Sequence, residues 1–258
     1  MFWINTFVKM KQLKFGLIGY PLGHSFSASY FSEKFSKAGI NATYQNFPIK
    51  HVDELVAFFA EFPDLDGLNI TVPWKEKVLG FCQFLSPEAK SIGAVNCIKR
   101  RPDGRLEGHN TDWIGFTSSV RGFLGENKIE KALIFGTGGS SKAVLFSLEQ
   151  MGVEATLVSS SNKGLGYSEL QGCLHRYQLL VQTTPLGMYP LQEEYPIIPY
   201  SELGSSHFCF DLIYNPVKTI FLKKAEWQGA AIRNGAEMLQ IQAEESWKIW
   251  IGGGLPSE

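Results

Sequence analysis

The sequence predicts an α/β protein in two parts: an N-terminal unit on a mixed or parallel sheet, then a second series of parallel βα units. Three observations carry this. Short β-rich runs alternate with amphipathic helical stretches along the whole chain, the pattern of folds built on parallel strands. The pattern restarts at Lys131, where an apolar strand runs straight into a glycine-rich turn. The 258 residues, 44% hydrophobic and 19% charged, are enough for two modest cores.

Residues 14–19 read as the first strand, and 27–38 as a helix closed by Gly39. Residues 43–49 form a second strand, 52–62 carry apolar residues at helical spacing, and 67–72 form a third strand. Pro73 suits the first turn of a helix that follows. Segments 94–99 and 105–108 flank Pro102-Asp103-Gly104, a turn with hairpin chemistry. Residues 111–123 read as a longer helix, and the boundary between the two parts falls there. Strands follow near 131–135, 155–158, 178–182 and 207–212, and a tryptophan-rich amphipathic helix spans roughly 236–250. No internal repeat or low-complexity segment interrupts the pattern.

Composition excludes several function classes. The net charge is −1, so no global basic field exists to hold nucleic acid or an anionic membrane. No apolar run approaches the roughly 20 residues that span a bilayer. Residues 1–9 are apolar and aromatic but lack the charged start and cleavage site of a secretory signal. They read as an extension ahead of a second possible start at Met10. Cys82, Cys97, Cys173 and Cys209 show no paired spacing, and the five histidines no metal-ligand spacing. A cytoplasmic protein without a metal is expected.

The strand at 132–135 leads into Gly136-Thr137-Gly138-Gly139-Ser140-Ser141, and 142–151 are helical. A glycine-rich turn between strand and helix lets the backbone approach a pyrophosphate, which free N–H groups and the helix dipole then stabilise. This predicts a Rossmann-type dinucleotide-binding unit. Ser141 takes the sixth position, where small size serves close helix–strand packing. After the next strand, a site for NAD usually carries an acid for the ribose hydroxyl. This chain has Ser159-Ser160-Ser161-Asn162-Lys163 there, hydroxyls and a lysine that suit a 2′-phosphate. NADP is expected, with NAD possible.

The first half holds four more motifs. Gly23-His24-Ser25-Phe26-Ser27 places two hydroxyls at a helix start, where an anion is favoured. Asn69-Ile70-Thr71-Val72-Pro73-Trp74-Lys75 sets Asn and Thr on one strand face and delivers a lysine at the strand's C-terminal edge, where parallel sheets bind ligands. Gly93-Ala94-Val95-Asn96 and Gly108-His109-Asn110-Thr111-Asp112 add an amide and a carboxylate. Taken singly, Ser25 and Asp112 read as helix caps and Lys75 as a solvated surface charge.

Taken together and in this order, the motifs resemble the shikimate dehydrogenase family over about residues 15–250. Thr184-Pro185-Leu186-Gly187-Met188, Asp211-Leu212-Ile213-Tyr214, and Asn234-Gly235 through Met238-Leu239 to Gln242 resemble its later motifs. The resemblance implies a substrate-binding unit over residues 10–111 and an NADP-binding Rossmann-type unit over 112–234, with 235–258 packing back onto the first. It implies NADP-linked interconversion of 3-dehydroshikimate and shikimate by a monomer or homodimer. Ser25 and Ser27 would hold the substrate carboxylate; Asn69, Thr71, Asn96 and Gln242 its hydroxyls; Tyr214 would line the same site. Lys75 and Asp112 would form the catalytic pair and also contact the substrate, with the Lys75 ammonium giving a proton to the ketone oxygen. Gly136, Thr137, Gly138, Gly139, Ser140, Ser159, Ser160, Ser161, Lys163, Thr184, Gly187, Met188 and Gly235 would surround the dinucleotide. The chain departs from the family pattern at Ser160, where an arginine is common, at Gln182 for asparagine, at Glu237 for a small residue, and at Ala28 and Phe31. A quinate or quinate/shikimate dehydrogenase using NAD, and a catalytically silent metabolite sensor, stay open as alternatives.

Overall fold

The computed structural model describes residues 11–22, 25–160 and 164–252. Its first half contains β1 (Leu13–Gly19), α1 (Phe26–Ala38), β2 (Ala42–Pro48), α2 (Val52–Glu61), β3 (Gly67–Ile70), β4 (Phe84–Leu85), α3 (Pro87–Ile92), β5 (Cys97–Arg100) and β6 (Leu106–His109). These strands make one sheet in the order β2-β1-β3-β5-β6-β4. The trio β2-β1-β3 is parallel, and β5 runs antiparallel to both β3 and β6. The β5–β6 hairpin expected from its turn residues is present, with Cys97 opposite His109 and Gly104 in the left-handed region at φ 83°.

The second half contains α4 (Asp112–Leu124), β7 (Lys131–Phe135), α5 (Gly139–Gln150), β8 (Glu154–Val158), β9 (Leu179–Gln182), β10 (Phe208–Asp211), α6 (Ile220–Trp227), β11 (Ala231–Arg233) and α7 (Ala236–Ile251). Its five strands are all parallel, in the order β11-β10-β9-β7-β8. Strand order reverses between β1 and β3 in the first sheet and between β7 and β9 in the second. Ligands of open α/β sheets bind at such points, outside the strands' C-terminal ends.

One expectation fails. No α-helix follows Pro73: the chain turns there and makes only a short 3₁₀ segment, Lys77–Phe81. Burial of the Trp74 indole, whose Nε1 donates to the Ile49 carbonyl at 2.8 Å, draws the backbone into tight turns instead. The third strand also stops at Ile70. Elements α3, β4, α6 and β11 were not anticipated, although Ser86 before Pro87 and Thr219 before Ile220 cap their helices as such residues do.

Four apolar clusters position the site. Ile18, Leu55, Leu68, Val78 and Ile98 fill one face of the first sheet. Leu133, Phe135, Leu180 and Phe221 fill one face of the second, and Ile134, Val181 and Phe210 the other, under Phe116 and Val120 of α4. Helix α7 joins the halves: Met238 lies in the core of the second sheet, while Ala243, Trp247 and Trp250 pack with Phe15, Phe31 and Phe35. Phe31, one of the departures, is fully buried and stacks on Tyr44 at 4.8 Å between ring centroids. No helix among the described residues is long and apolar enough to cross a membrane.

Candidate active site

The segment after β3 meets the glycine-rich loop after β7 at Lys75 and Ser140, and the first turn of α4 meets the same lysine at Asp112. Lys75 follows the turn that ends β3, and its backbone carbonyl accepts from Val95 N at 2.7 Å. The Lys75 ammonium donates to Asp112 Oδ2 at 2.8 Å, with side chains only 13% and 7% exposed. This is no solvated surface lysine. Asp112 does not cap α4 with its side chain either: Asn110 Oδ1 accepts from the N–H groups of Asp112 and Trp113, at 3.0 and 3.4 Å, and leaves the carboxylate free for Lys75.

Asn96 fixes the other carboxylate oxygen, donating from Nδ2 to Asp112 Oδ1 at 2.8 Å, while its own Oδ1 accepts from Thr111 N at 2.6 Å. Gln242 reaches this cluster from α7, with Oε1 3.4 Å from both Asn96 Nδ2 and Thr111 Oγ1. Asn69 donates to Ser246 Oγ at 2.9 Å and accepts from the Tyr44 hydroxyl at 2.8 Å. Burial holds that phenol far above its usual pKa, so it stays a neutral donor. Asn69, Asn96, Asp112 and Gln242 are thus brought together beside Lys75. Tyr44, Thr111 and Ser246 complete the network and were missed. Thr111 stood within the 108–112 motif with no role given to it, and Ser246 lies one helical turn beyond Gln242 on the same face of α7.

Ser25 does cap α1, accepting from Ala28 N at 3.1 Å, and Ser27 is buried behind it. Phe26 between them meets Tyr214, from the loop after β10, edge to face at 5.9 Å. That loop hangs on Asp211, which accepts from Ile213 N at 2.9 Å and Thr219 Oγ1 at 2.6 Å; burial pushes its carboxyl up to about 7. Thr71 lies just past the end of β3, its N–H bonded to the Ile18 carbonyl at 2.8 Å.

The glycine loop fits a dinucleotide. Gly136 sits at φ 116°, and a Cβ there would lie 2.7 Å from Thr183 Oγ1, so only glycine is accommodated. A Cβ on Gly138 would meet nothing, which leaves an open cradle before α5. The first helical bond runs from Lys142 N to the Gly138 carbonyl, so the N–H groups of Gly139, Ser140 and Ser141 have no acceptor within the helix. Thr137 lies in this loop, and Ser159 and exposed Ser160 follow β8. Ser161 and Lys163 lie outside the described residues.

The wall beside β9 is held by Gln182, fully buried, whose Oε1 accepts from Thr184 N and Oγ1 at 3.0 Å each and whose Nε2 donates to the Leu186 carbonyl at 3.0 Å. Gly187, at φ 105°, and Met188, 43% exposed, continue that wall. Gly235 packs against the Leu212 carbonyl so closely that a Cβ would come within 2.0 Å of its oxygen. Among the described residues, no group of three or more His, Cys, Asp or Glu side chains is placed to hold a metal.

Residues 17–98 match the shikimate dehydrogenase substrate binding domain family. Over 92% of this chain and 89% of its relative, the sequence is 35% identical to a shikimate dehydrogenase (NADP(+)) of Caldicellulosiruptor bescii. The chain belongs to the shikimate dehydrogenase family. The crystal structure of shikimate dehydrogenase from Aquifex aeolicus superimposes with a TM-score of 0.85 at 32% identity, covering 96% of each chain. A shikimate dehydrogenase crystallised in complex with NADP+ gives 0.83 at 30% identity, over 94% of this chain and 91% of the other. Against the family pattern, Glu237 has a local partner set here: it accepts from Ser119 Oγ and Arg233 Nη1, each at 2.7 Å, and so ties α7 to α4 and β11.

Proposed function

We propose that the chain is an NADP-dependent shikimate dehydrogenase, which reversibly reduces 3-dehydroshikimate to shikimate on the route to chorismate and the aromatic amino acids. The single observation that carries this is the Lys75–Asp112 pair, nearly buried and facing the glycine loop where the loops of the two sheets meet. Residues 10–111, with 235–258 returning to them, form the substrate-binding part, and residues 112–234 the dinucleotide-binding part. The four free thiols suit a cytoplasmic enzyme. It acts as a monomer or homodimer.

The substrate carboxylate binds at the start of α1, between Ser25 and Ser27. Asn69, Thr71, Asn96 and Gln242 take the ring hydroxyls, and Tyr214 lies against the same side. Gly136–Ser140, Ser159–Ser161, Lys163, Thr184, Gly187, Met188 and Gly235 would hold the dinucleotide, which would supply the hydride for the ketone carbon. Lys75 gives a proton to the ketone oxygen, and the reverse reaction returns it. Asp112, locked by Asn96, keeps the ammonium facing that oxygen. The retained pair speaks against a silent metabolite sensor, which needs an anion site but no proton donor.

Removing one hydroxyl bond to the carboxylate should cost about 1.5–3 kcal/mol of substrate binding. Ser25→Ala and Ser27→Ala should therefore each raise KM for shikimate, with little change in KM for NADP. If steady-state kinetics show an unchanged shikimate KM in both variants, the clamp lies elsewhere.

Exposed Ser160 keeps the NAD-dependent quinate reading in play, since a serine offers the 2′-phosphate only a neutral bond. Charge-assisted bonds are roughly twice as strong, and a guanidinium forks onto two oxygens. NADP should thus be preferred, by less than in relatives with arginine there. Ser160→Arg should raise the NADP-to-NAD ratio of kcat/KM about tenfold per 1.4 kcal/mol regained. Lys163→Ala should lower it. A wild type that prefers NAD contradicts this account of the loop.

A further inference from the structure

Ser140 is the second residue of α5 and by position a member of the dinucleotide loop, yet its hydroxyl oxygen lies 3.0 Å from the ammonium of Lys75. Close packing enforces that approach. A Cβ on Gly139 would come 3.0 Å from Lys75 Cβ, 3.4 Å from Ala94 Cβ and 3.5 Å from Lys75 Cδ, so the loop rests directly on the lysine stem. The next chain position is tied as well: Lys142 of α5 pairs with Glu76 at 2.7 Å. Two contacts, one of them at the reacting group, thus dock the first turn of α5 onto residues 75–76.

An ammonium has three N–H donors. One goes to Asp112 and one to Ser140, which leaves the third for the substrate oxygen. We infer that Ser140 is a positioning residue for proton transfer: its hydroxyl, from the dinucleotide side of the cleft, is the second tether that aims Lys75. This rests on the functional reading above. Held by Asp112 alone, Nζ would swing on a flexible four-carbon stem. With a tether on each side of the cleft, only one N–H stays free, and its direction is fixed. The arrangement also makes the lysine's geometry depend on the loop that receives the dinucleotide, so the proton donor is aimed only when that loop is in place.

The test is steady-state oxidation of shikimate with NADP by the intact enzyme, in single and double variants. Ser140→Ala should lower kcat about tenfold, a modest misplacement of a reacting group, with both KM values within about twofold of wild type. Ser140→Thr, which keeps the hydroxyl, should restore most of that loss. In a Lys75→Ala background, at high enzyme concentration, adding Ser140→Ala should change nothing further, because the tether has no lysine to hold. A rise in NADP KM at unchanged kcat, or the same tenfold loss with Lys75 absent, overturns the inference while an active wild type leaves the functional reading standing. A wild type inactive on shikimate removes both.

Discussion

Lys75→Ala should lower kcat for shikimate oxidation by about 10²–10⁴-fold, the range for loss of a general acid–base group. KM for shikimate should move little, because the carboxylate and hydroxyl contacts belong to other side chains. The reason is in the geometry. Lys75 reaches its partners at 2.8 and 3.0 Å from a backbone pinned by Val95, which holds its ammonium at the meeting of the two halves. Asp112→Asn should also act mainly on kcat, since an amide can still accept from Lys75 but lacks the charge that holds the ammonium. Circular dichroism of both variants checks the fold, because Lys75→Ala leaves the Asp112 carboxylate without its cation. A change confined to KM would show that Lys75 binds the substrate rather than moving its proton.

Trp250→Ala should be the most damaging single change to stability, by about 3–5 kcal/mol, as for other buried aromatic truncations. The indole is 7% exposed, stacks on Phe15 at 4.6 Å, tilts against Phe31 at 5.2 Å, and donates to the Ile98 carbonyl at 3.0 Å. Gly67 exists to receive it: a Cβ there would lie 2.4 Å from the indole ring. Losing this anchor frees the end of α7, the helix that carries Gln242 and Ser246 to the substrate side. The urea midpoint should fall at unchanged m-value, and KM for shikimate should rise in the folded remainder. A midpoint shift that, multiplied by m, comes to less than about 1 kcal/mol would mean that α7 docks through Trp247 and Ala243 alone.

The sequence made the architecture legible where period and punctuation agree. Strand β7 followed by Gly136-Thr137-Gly138-Gly139 announces its own turn and helix, because the positive φ of Gly136 and the glycine run at a helix start are marks that local sequence carries. The hairpin around Gly104 is of the same kind. Residues 73–81 misled, since a proline that suits a helix start is outweighed by burial of Trp74, a tertiary event with no local mark. The site divides along the same line. Asn69, Thr71 and Lys75 fall in one run and could be read together. The pairing of Lys75 with Asp112, 37 positions on, came only from the family resemblance. Tyr44 was invisible because a lone phenol on a strand gains meaning only when folding sets it against Asn69, and Ser246 left only its place one helical turn beyond Gln242. Ser140 was read by its place in the loop, and its bond to Lys75 exists only because the two halves of the chain touch.

Absorbance of the reduced nicotinamide, followed on the purified enzyme with shikimate or quinate and with NADP or NAD, tests most directly whether the Lys75–Asp112 pair serves the oxidation of shikimate by NADP. The kcat/KM should be highest for shikimate with NADP, activity with NAD should be lower, and the signal should be lost in Lys75→Ala. Faster turnover of quinate with NAD, or no turnover of shikimate with either nucleotide, would contradict that role.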